Sequence, residues 1–171
     1  MQITTGKTCP GLQIGPASRA DAPTILQLQR LAYQSEARTY SDWSLPPLVE
    51  TLNQLQREFD VSTVLKAVLD DVLVGAVRAQ WAAHGRCSVG RLIVRPDLQS
   101  RGIGRALMRR IEAEFPAAEW FELFTGSRSL RNLRLYETLG YRRFRSKTVS
   151  NQLTLVWMEK RRPLELQVPA S

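Results

Sequence analysis

The period at which apolar residues recur switches several times along this chain, and those switches restrict it to a mixed α/β architecture. Ile25, Leu28 and Ala32 mark one face of a helix that opens at Asp21, an N-cap residue type, and runs to about Glu36. Leu48, Leu52, Leu55 and Phe59 repeat the helical spacing. Residues 37–47 between them hold Tyr40, Asp42, Trp43 and a Pro-Pro pair, and read as a loop. Three β-rich runs then follow with no helix between them, at 64–69, 73–81 and 87–94. Asp70-Asp71 and residues 82–85 are tight turns, so the runs form an antiparallel meander. Helix and strand alternate after that. Ile103, Leu107 and Ile111 share a helix face that ends before Pro116, residues 120–125 are a strand, and 130–139 a helix stopped by Gly140. Residues 141–147 and 153–160 form a last hairpin. With a short first strand at 12–16, the order is β-α-α-β-β-β-α-β-α-β-β. This is one α/β domain over 12–160, with tails at 1–11 and 161–171.

Composition narrows the function classes. The chain has 171 residues, one domain's worth. No run approaches the roughly 18 apolar residues of a membrane span, and the first ten residues lack the pattern of a secretory signal. Cys9, Cys87 and the single His84 are too few for a closed zinc site built from Cys and His, so no metal is expected. Two free thiols suit a reducing compartment, and the protein reads as cytoplasmic. The formal charge is +8, and it is lopsided: residues 86–162 carry seventeen cations against seven anions. Such an excess suits nucleic acid, an anionic cofactor or an acidic substrate. The basic residues are scattered over strands and helices, with neither a zinc-finger pattern nor paired RNA-binding aromatics. Only weak, sequence-indifferent nucleic-acid binding is expected.

The most specific local signal runs from Arg95 to Ala106, where the chain leaves a strand and opens a helix. Gly102 and Gly104 remove side chains there, the first-turn amides have no internal partner, and Arg101 and Arg105 add charge. The turn has neither the Lys-Ser/Thr of a P-loop nor Gly-x-Gly-x-x-Gly spacing. From the residues alone it is either an anion cradle or a tight steric turn.

Here a resemblance enters. Gln99-Ser100-Arg101-Gly102-Ile103-Gly104, after the strand Arg91-Leu92-Ile93-Val94, is similar to the acyl-CoA pyrophosphate motif of the GNAT superfamily of N-acyltransferases. Asn132-Leu133-Arg134-Leu135-Tyr136-Glu137-Thr138-Leu139-Gly140-Tyr141 resembles that family's block near the thiol end of the cofactor. The two occur in the family's order, and the resemblance covers about 12–160. It implies a mixed central sheet of six to seven strands flanked by four helices, with a cofactor cleft between two parallel strands that splay apart, 90–94 and 120–125. It further implies acetyl-CoA as co-substrate and an amine of a small molecule, amino acid or peptide as acceptor, attacked directly in a ternary complex. Leu92, Ile93 and Val94 would pair with the pantetheine arm, and Gln99, Ser100, Arg101, Gly102, Ile103, Gly104 and Arg105 would surround the pyrophosphate. Asn132 would bond the pantetheine amides. Tyr136 would be the general acid for the departing thiolate, a role open to a phenol protonated near neutrality.

The acceptor is expected against the first two helices and their loop, at Tyr33, Tyr40 and Trp43, with Arg91 offered to an acceptor carboxylate. The central strand holds no carboxylate to serve as base. Glu122, Glu50 and Glu36 are candidates, each more simply a solvated carboxylate; a water-relayed base is the default. Cys87 reads as structural. An acyl-CoA sensor without turnover is the alternative function, and the edges of the hairpin at 141–160 offer a surface for a homodimer.

Overall fold

Seven strands form one sheet in the order β1-β2-β3-β4-β5-β7-β6. They are β1 (Gln13–Pro16), β2 (Thr63–Leu69), β3 (Val72–Trp81), β4 (Arg86–Val94), β5 (Trp120–Gly126), β6 (Arg142–Thr148) and β7 (Thr154–Arg161). The structure, a computed structural model, describes residues 9–163. Every ladder is antiparallel except β4–β5. The β2–β3 turn needs left-handed backbone at both central residues, and Asp70 and Asp71 supply it with φ of 50° and 63°. That is the turn geometry whose twist matches a tight hairpin.

Two irregularities in β4 shape what lies above it. Ala76 faces Ile93 while Arg78 faces Gly90, so Arg91 and Leu92 together oppose Val77. This is a β-bulge, with Arg91 at φ 51°. The parallel ladder to β5 also stops early. It pairs Arg86 with Trp120, Cys87 with Phe121 and Ser88 with Glu122, and the rest of each strand runs on without its neighbour.

The helices are α1 (Ala22–Ala32), α2 (Gln34–Tyr40), α3 (Pro46–Val49), α4 (Leu52–Val61), α5 (Ile103–Ala113) and α6 (Leu130–Thr138). Six segments replace the four read from sequence. The first predicted helix breaks at Tyr33, and the first four residues of the predicted loop, 37–40, continue helically in α2. Ala37 and Tyr40 keep the helical spacing and are buried; the helix ends only where Ser41 turns left-handed at φ 50°. Thr51 caps α4 with a reciprocal pair: Gln54 N donates to Thr51 Oγ1 at 3.2 Å, and Thr51 N to Gln54 Oε1 at 2.8 Å. Asp21 precedes α1 without capping it. Its carboxylate accepts from the Ser18 amide at 2.8 Å and from Lys66 Nζ at 2.9 Å.

One sheet face packs on α5 and α6 through Leu65, Val77, Cys87, Phe121, Ile103 and Leu107. The opposite face of β2–β4 packs on α1 and α4 through Ile25, Leu28, Leu55, Val64 and Ile93. The C-terminal boundary lies later than 160. Arg161 belongs to β7, and the Arg162 guanidinium donates to the carbonyls of Glu112, Phe115 and Ala118 at 3.0, 2.7 and 2.9 Å. The remainder of the expected tails, 1–8 and 164–171, lies outside the described residues. Among the described residues no helix is long and apolar enough to cross a membrane.

Candidate active site

The turn between β4 and α5 is built from alternating left-handed residues, Ser100 at φ 62° and Gly102 at φ 86°. Gln99 Nε2 donates to Val94 O at 3.2 Å and folds the turn back over the end of β4. No side chain caps α5, whose first internal bond from this end is Ala106 N to Gly102 O. The amides of Ile103, Gly104 and Arg105 are therefore open to an anion. Gly104 keeps the approach of α5 to α6 close. A Cβ there would lie 3.3 Å from Leu135 Cδ2 on α6 and 3.8 Å from the side chains of Leu92 and Val94.

A cavity of about 880 Å³ opens in front of this turn, between the end of β4, α5, α6 and the α1–α2 joint. Its wall takes in Leu92, Ile93, Val94, Gln99, Ser100, Gly102, Ile103, Gly104, Arg105 and Asn132 of the predicted cofactor set. Arg101 is exposed and off the wall. Arg105 lies on the wall and gives one guanidinium bond, from Nη2, to Thr138 Oγ1 at 2.7 Å. Arg38, Arg128, Arg131 and Arg134 complete an arginine-rich lining.

Tyr136 sits behind that wall, 7% exposed, with its ring 6.0 Å from that of Tyr141. Burial raises its phenol above the ordinary range, and the nearby Tyr33 and Glu36 push the same way. The group stays protonated.

Of the four acceptor candidates, Tyr33 alone lines the cavity. Tyr40 is 1% exposed because the turn after β5 receives it: Arg128 N donates to its hydroxyl at 2.8 Å, Ser129 Oγ lies 3.1 Å away, and the Arg128 guanidinium stacks 4.9 Å above its ring. Trp43 is 59% exposed beyond the end of α2. Arg91 leaves the wall because the bulge turns it under α1, beside Gln29, Leu55 and Arg78, with its Nε buried and unpartnered. Of the candidate bases, Glu50 is held by Gln29 and Arg78 at 2.7 and 2.9 Å, and Glu122 by Arg86 at 3.4 Å. Glu36 reaches the cavity. Ser129 escaped the sequence reading altogether. It occupies the N-cap of α6 yet caps nothing, and its hydroxyl goes to Glu36 Oε2 at 2.6 Å. The only signal for it was a cap residue type with no reason to be special.

Cys87 is fully buried, and burial pushes its thiol up to about 12, with Glu112 and Glu122 adding to the shift. At pH 8 about one thiol in ten thousand is ionised, so it is inert as a nucleophile. Native protein treated with iodoacetamide should lose one thiol, Cys9, rapidly, and Cys87 only after denaturation. Mass spectrometry of the intact chain reads this directly, and rapid double labelling of the native fold would contradict the burial. Among the described residues no cluster of three or more His, Cys, Asp or Glu is placed to hold a metal.

The sequence profile of the acetyltransferase (GNAT) domain matches residues 36–162. A search of curated protein sequences gives no significant match. Solved structures with the same fold include the PaiA N-acetyltransferase of Thermoplasma acidophilum in complex with coenzyme A. It is 19% identical, with a TM-score of 0.67 over 88% of this chain and 99% of that one. YncA, a putative acetyltransferase of Salmonella typhimurium with its cofactor acetyl-CoA, is 19% identical, with a TM-score of 0.70 over 88% and 94%. The ribosomal-protein-S18-alanine N-acetyltransferase of Escherichia coli is 16% identical, with a TM-score of 0.68 over 88% and 93%. The profile spans well over half of the chain, and the sheet order, the parted strands and the uncapped α5 belong to the same region; this protein is a member of the acetyltransferase (GNAT) domain family.

Proposed function

We propose that the protein transfers an acetyl group from acetyl-CoA to a primary amine by direct attack, with Tyr136 as general acid. The observation that supports this most is that the β4–β5 ladder stops at Ser88 and Glu122, so the end of β4 at Leu92, Ile93 and Val94 has no β5 partner and lines the cavity instead. There Leu92, Ile93 and Val94 present backbone to an extended arm in place of a neighbouring strand. The cavity suits the donor chemically. The uncapped α5 amides and Arg105 meet the pyrophosphate, Arg128, Arg131 and Arg134 supply further charge for a polyanion, and Asn132 offers an amide to the pantetheine. Bound there, the donor supplies an activated acyl group and a thiol leaving group. The protein holds a protonated phenol at Tyr136 for the sulfur and keeps water from the reacting carbon with Leu92, Ile93 and Leu135.

The test is release of free thiol from acetyl-CoA across a panel of primary amines, with acetyl-CoA affinity measured separately by calorimetry. Gly104→Val places two methyl groups between Leu92, Val94 and Leu135, at the mouth of the anion cradle. We expect its acetyl-CoA affinity to fall at least tenfold with the circular dichroism spectrum unchanged. A parent protein that binds acetyl-CoA but releases thiol with no amine is a binding module, and one that binds none overturns the reading entirely.

A further inference from the structure

The cavity wall holds several arginines and one carboxylate, Glu36. Among the described residues Glu36 makes no ion pair, although Arg38, Arg105, Arg128, Arg131 and Arg134 line the same space. A carboxylate in such company would ordinarily be neutralised by the nearest guanidinium. Instead it is held by a directed chain of neutral donors. Arg128 N donates to the Tyr40 hydroxyl at 2.8 Å, the Tyr40 hydroxyl lies 3.1 Å from Ser129 Oγ, and Ser129 Oγ donates to Glu36 Oε2 at 2.6 Å. Because an ionised carboxylate only accepts, Ser129 must donate to Glu36, and Tyr40 must then donate to Ser129. The chain fixes one oxygen of Glu36 and leaves Oε1 without a partner among the described residues. Glu36 shares the cavity wall with Tyr33, and its charge helps to raise the phenols of Tyr33 and Tyr136.

We propose that Glu36 binds the ammonium group of the acceptor and takes its proton, which makes the acceptor class a cationic amine. This rests on the acetyltransferase reading above. In the step, the ammonium passes one proton to Glu36 and so to solvent, and the freed lone pair forms the C–N bond at the thioester carbonyl carbon. The C–S bond breaks with its electron pair on sulfur, and sulfur takes the Tyr136 proton. The second proton shed by nitrogen restores the phenol. Ammonium and thioester become amide, thiol and one released proton.

The probe pair for turnover, compared at about pH 9, is 2-phenylethylamine, still mostly cationic there, and hydrazine, largely uncharged there and in no need of a base to free its lone pair. Glu36→Gln keeps an oxygen for Ser129 and nearly the same volume, so folding is not at issue. Its turnover of 2-phenylethylamine relative to hydrazine should fall more than tenfold against the parent. A second readout needs no turnover. By saturation-transfer NMR on protein saturated with CoA, the parent should bind 2-phenylethylamine at least tenfold more tightly than 2-phenylethanol, and Glu36→Gln should lose that preference while its CoA affinity stays within about twofold. A preference unchanged in the variant, or absent from the parent, overturns the role of Glu36 and leaves the acetyltransferase reading standing. Failure of the parent to bind CoA overturns that reading instead.

Discussion

Replacing Tyr136 with Phe should lower saturated turnover by about a hundredfold or more while leaving acetyl-CoA affinity nearly unchanged. The substitution removes one hydroxyl and keeps a ring that is 7% exposed and edge-on to Tyr141, so packing survives. A raised phenol is a weaker acid, which at first counts against the role. Yet the sulfur would be leaving into the same buried surroundings, where a bare thiolate is also disfavoured. The hydroxyl gives up its proton only as charge develops on sulfur, and the second proton shed by the amine restores the phenol. Two consequences separate this from a packing role. The loss should shrink with a donor whose leaving thiol is more acidic. Because burial, Tyr33 and Glu36 all push the phenol upward, the parent's turnover should show no alkaline decline from Tyr136 below about pH 10, its ordinary value. Parent-like turnover by Tyr136→Phe, with chemistry rate-limiting, would remove the residue from the mechanism.

How far the sequence carried the fold depends on which signal was local. The meander, α5 and the last hairpin were legible to within one or two residues because period and turn residues agree there: Asp70-Asp71 takes the left-handed backbone its residue types tolerate. The α2 segment was misread because Trp43, Ser44 and the prolines lie at its end, and their loop signal spread backward over Ala37 and Tyr40. The strand-to-helix turn and its open first-turn amides were legible from Gly102 and Gly104. The acceptor side was not. Whether Tyr40 faces a substrate or a turn after β5 is decided by a contact 88 residues away, with Arg128. Arg91 leaves the wall through a bulge that no pattern in β4 announces. Glu36 looked like any helix carboxylate until the fold set it opposite Ser129, 93 residues on. Part of the lopsided charge also gathers only in space, where Arg105 of α5, Arg128 of the turn after β5 and Arg131 and Arg134 of α6 meet at one cavity.

Gly126→Ala should be the most damaging single methyl in the chain. A Cβ at Gly126 would lie 2.9 Å from Tyr40 Cε2 and closer still to Cζ and the hydroxyl, while the ring has no room to retreat at 1% exposure. Overpacking of this kind costs about 1–3 kcal/mol, and expelling the ring also strips the Tyr40 hydroxyl of Arg128 N and Ser129, each bond worth ~1 kcal/mol. In a domain of this size each 1 kcal/mol lowers Tm by roughly 2–4 °C, so a fall of roughly 6–20 °C is expected by calorimetry. Tyr40→Ala alone should cost a comparable amount by leaving a cavity. The two losses should not add. With the ring already gone, the alanine methyl meets open space, and the double variant should be more stable than the sum of the singles by at least about 1 kcal/mol. The displaced ring also releases Ser129 and through it Glu36, so Gly126→Ala should lose amine turnover at temperatures where it is still fully folded, with acetyl-CoA binding retained. Additive losses in the cycle would mean that Tyr40 does not seat on Gly126, and the hydrogen-bond chain from Arg128 to Glu36 would lose its anchor.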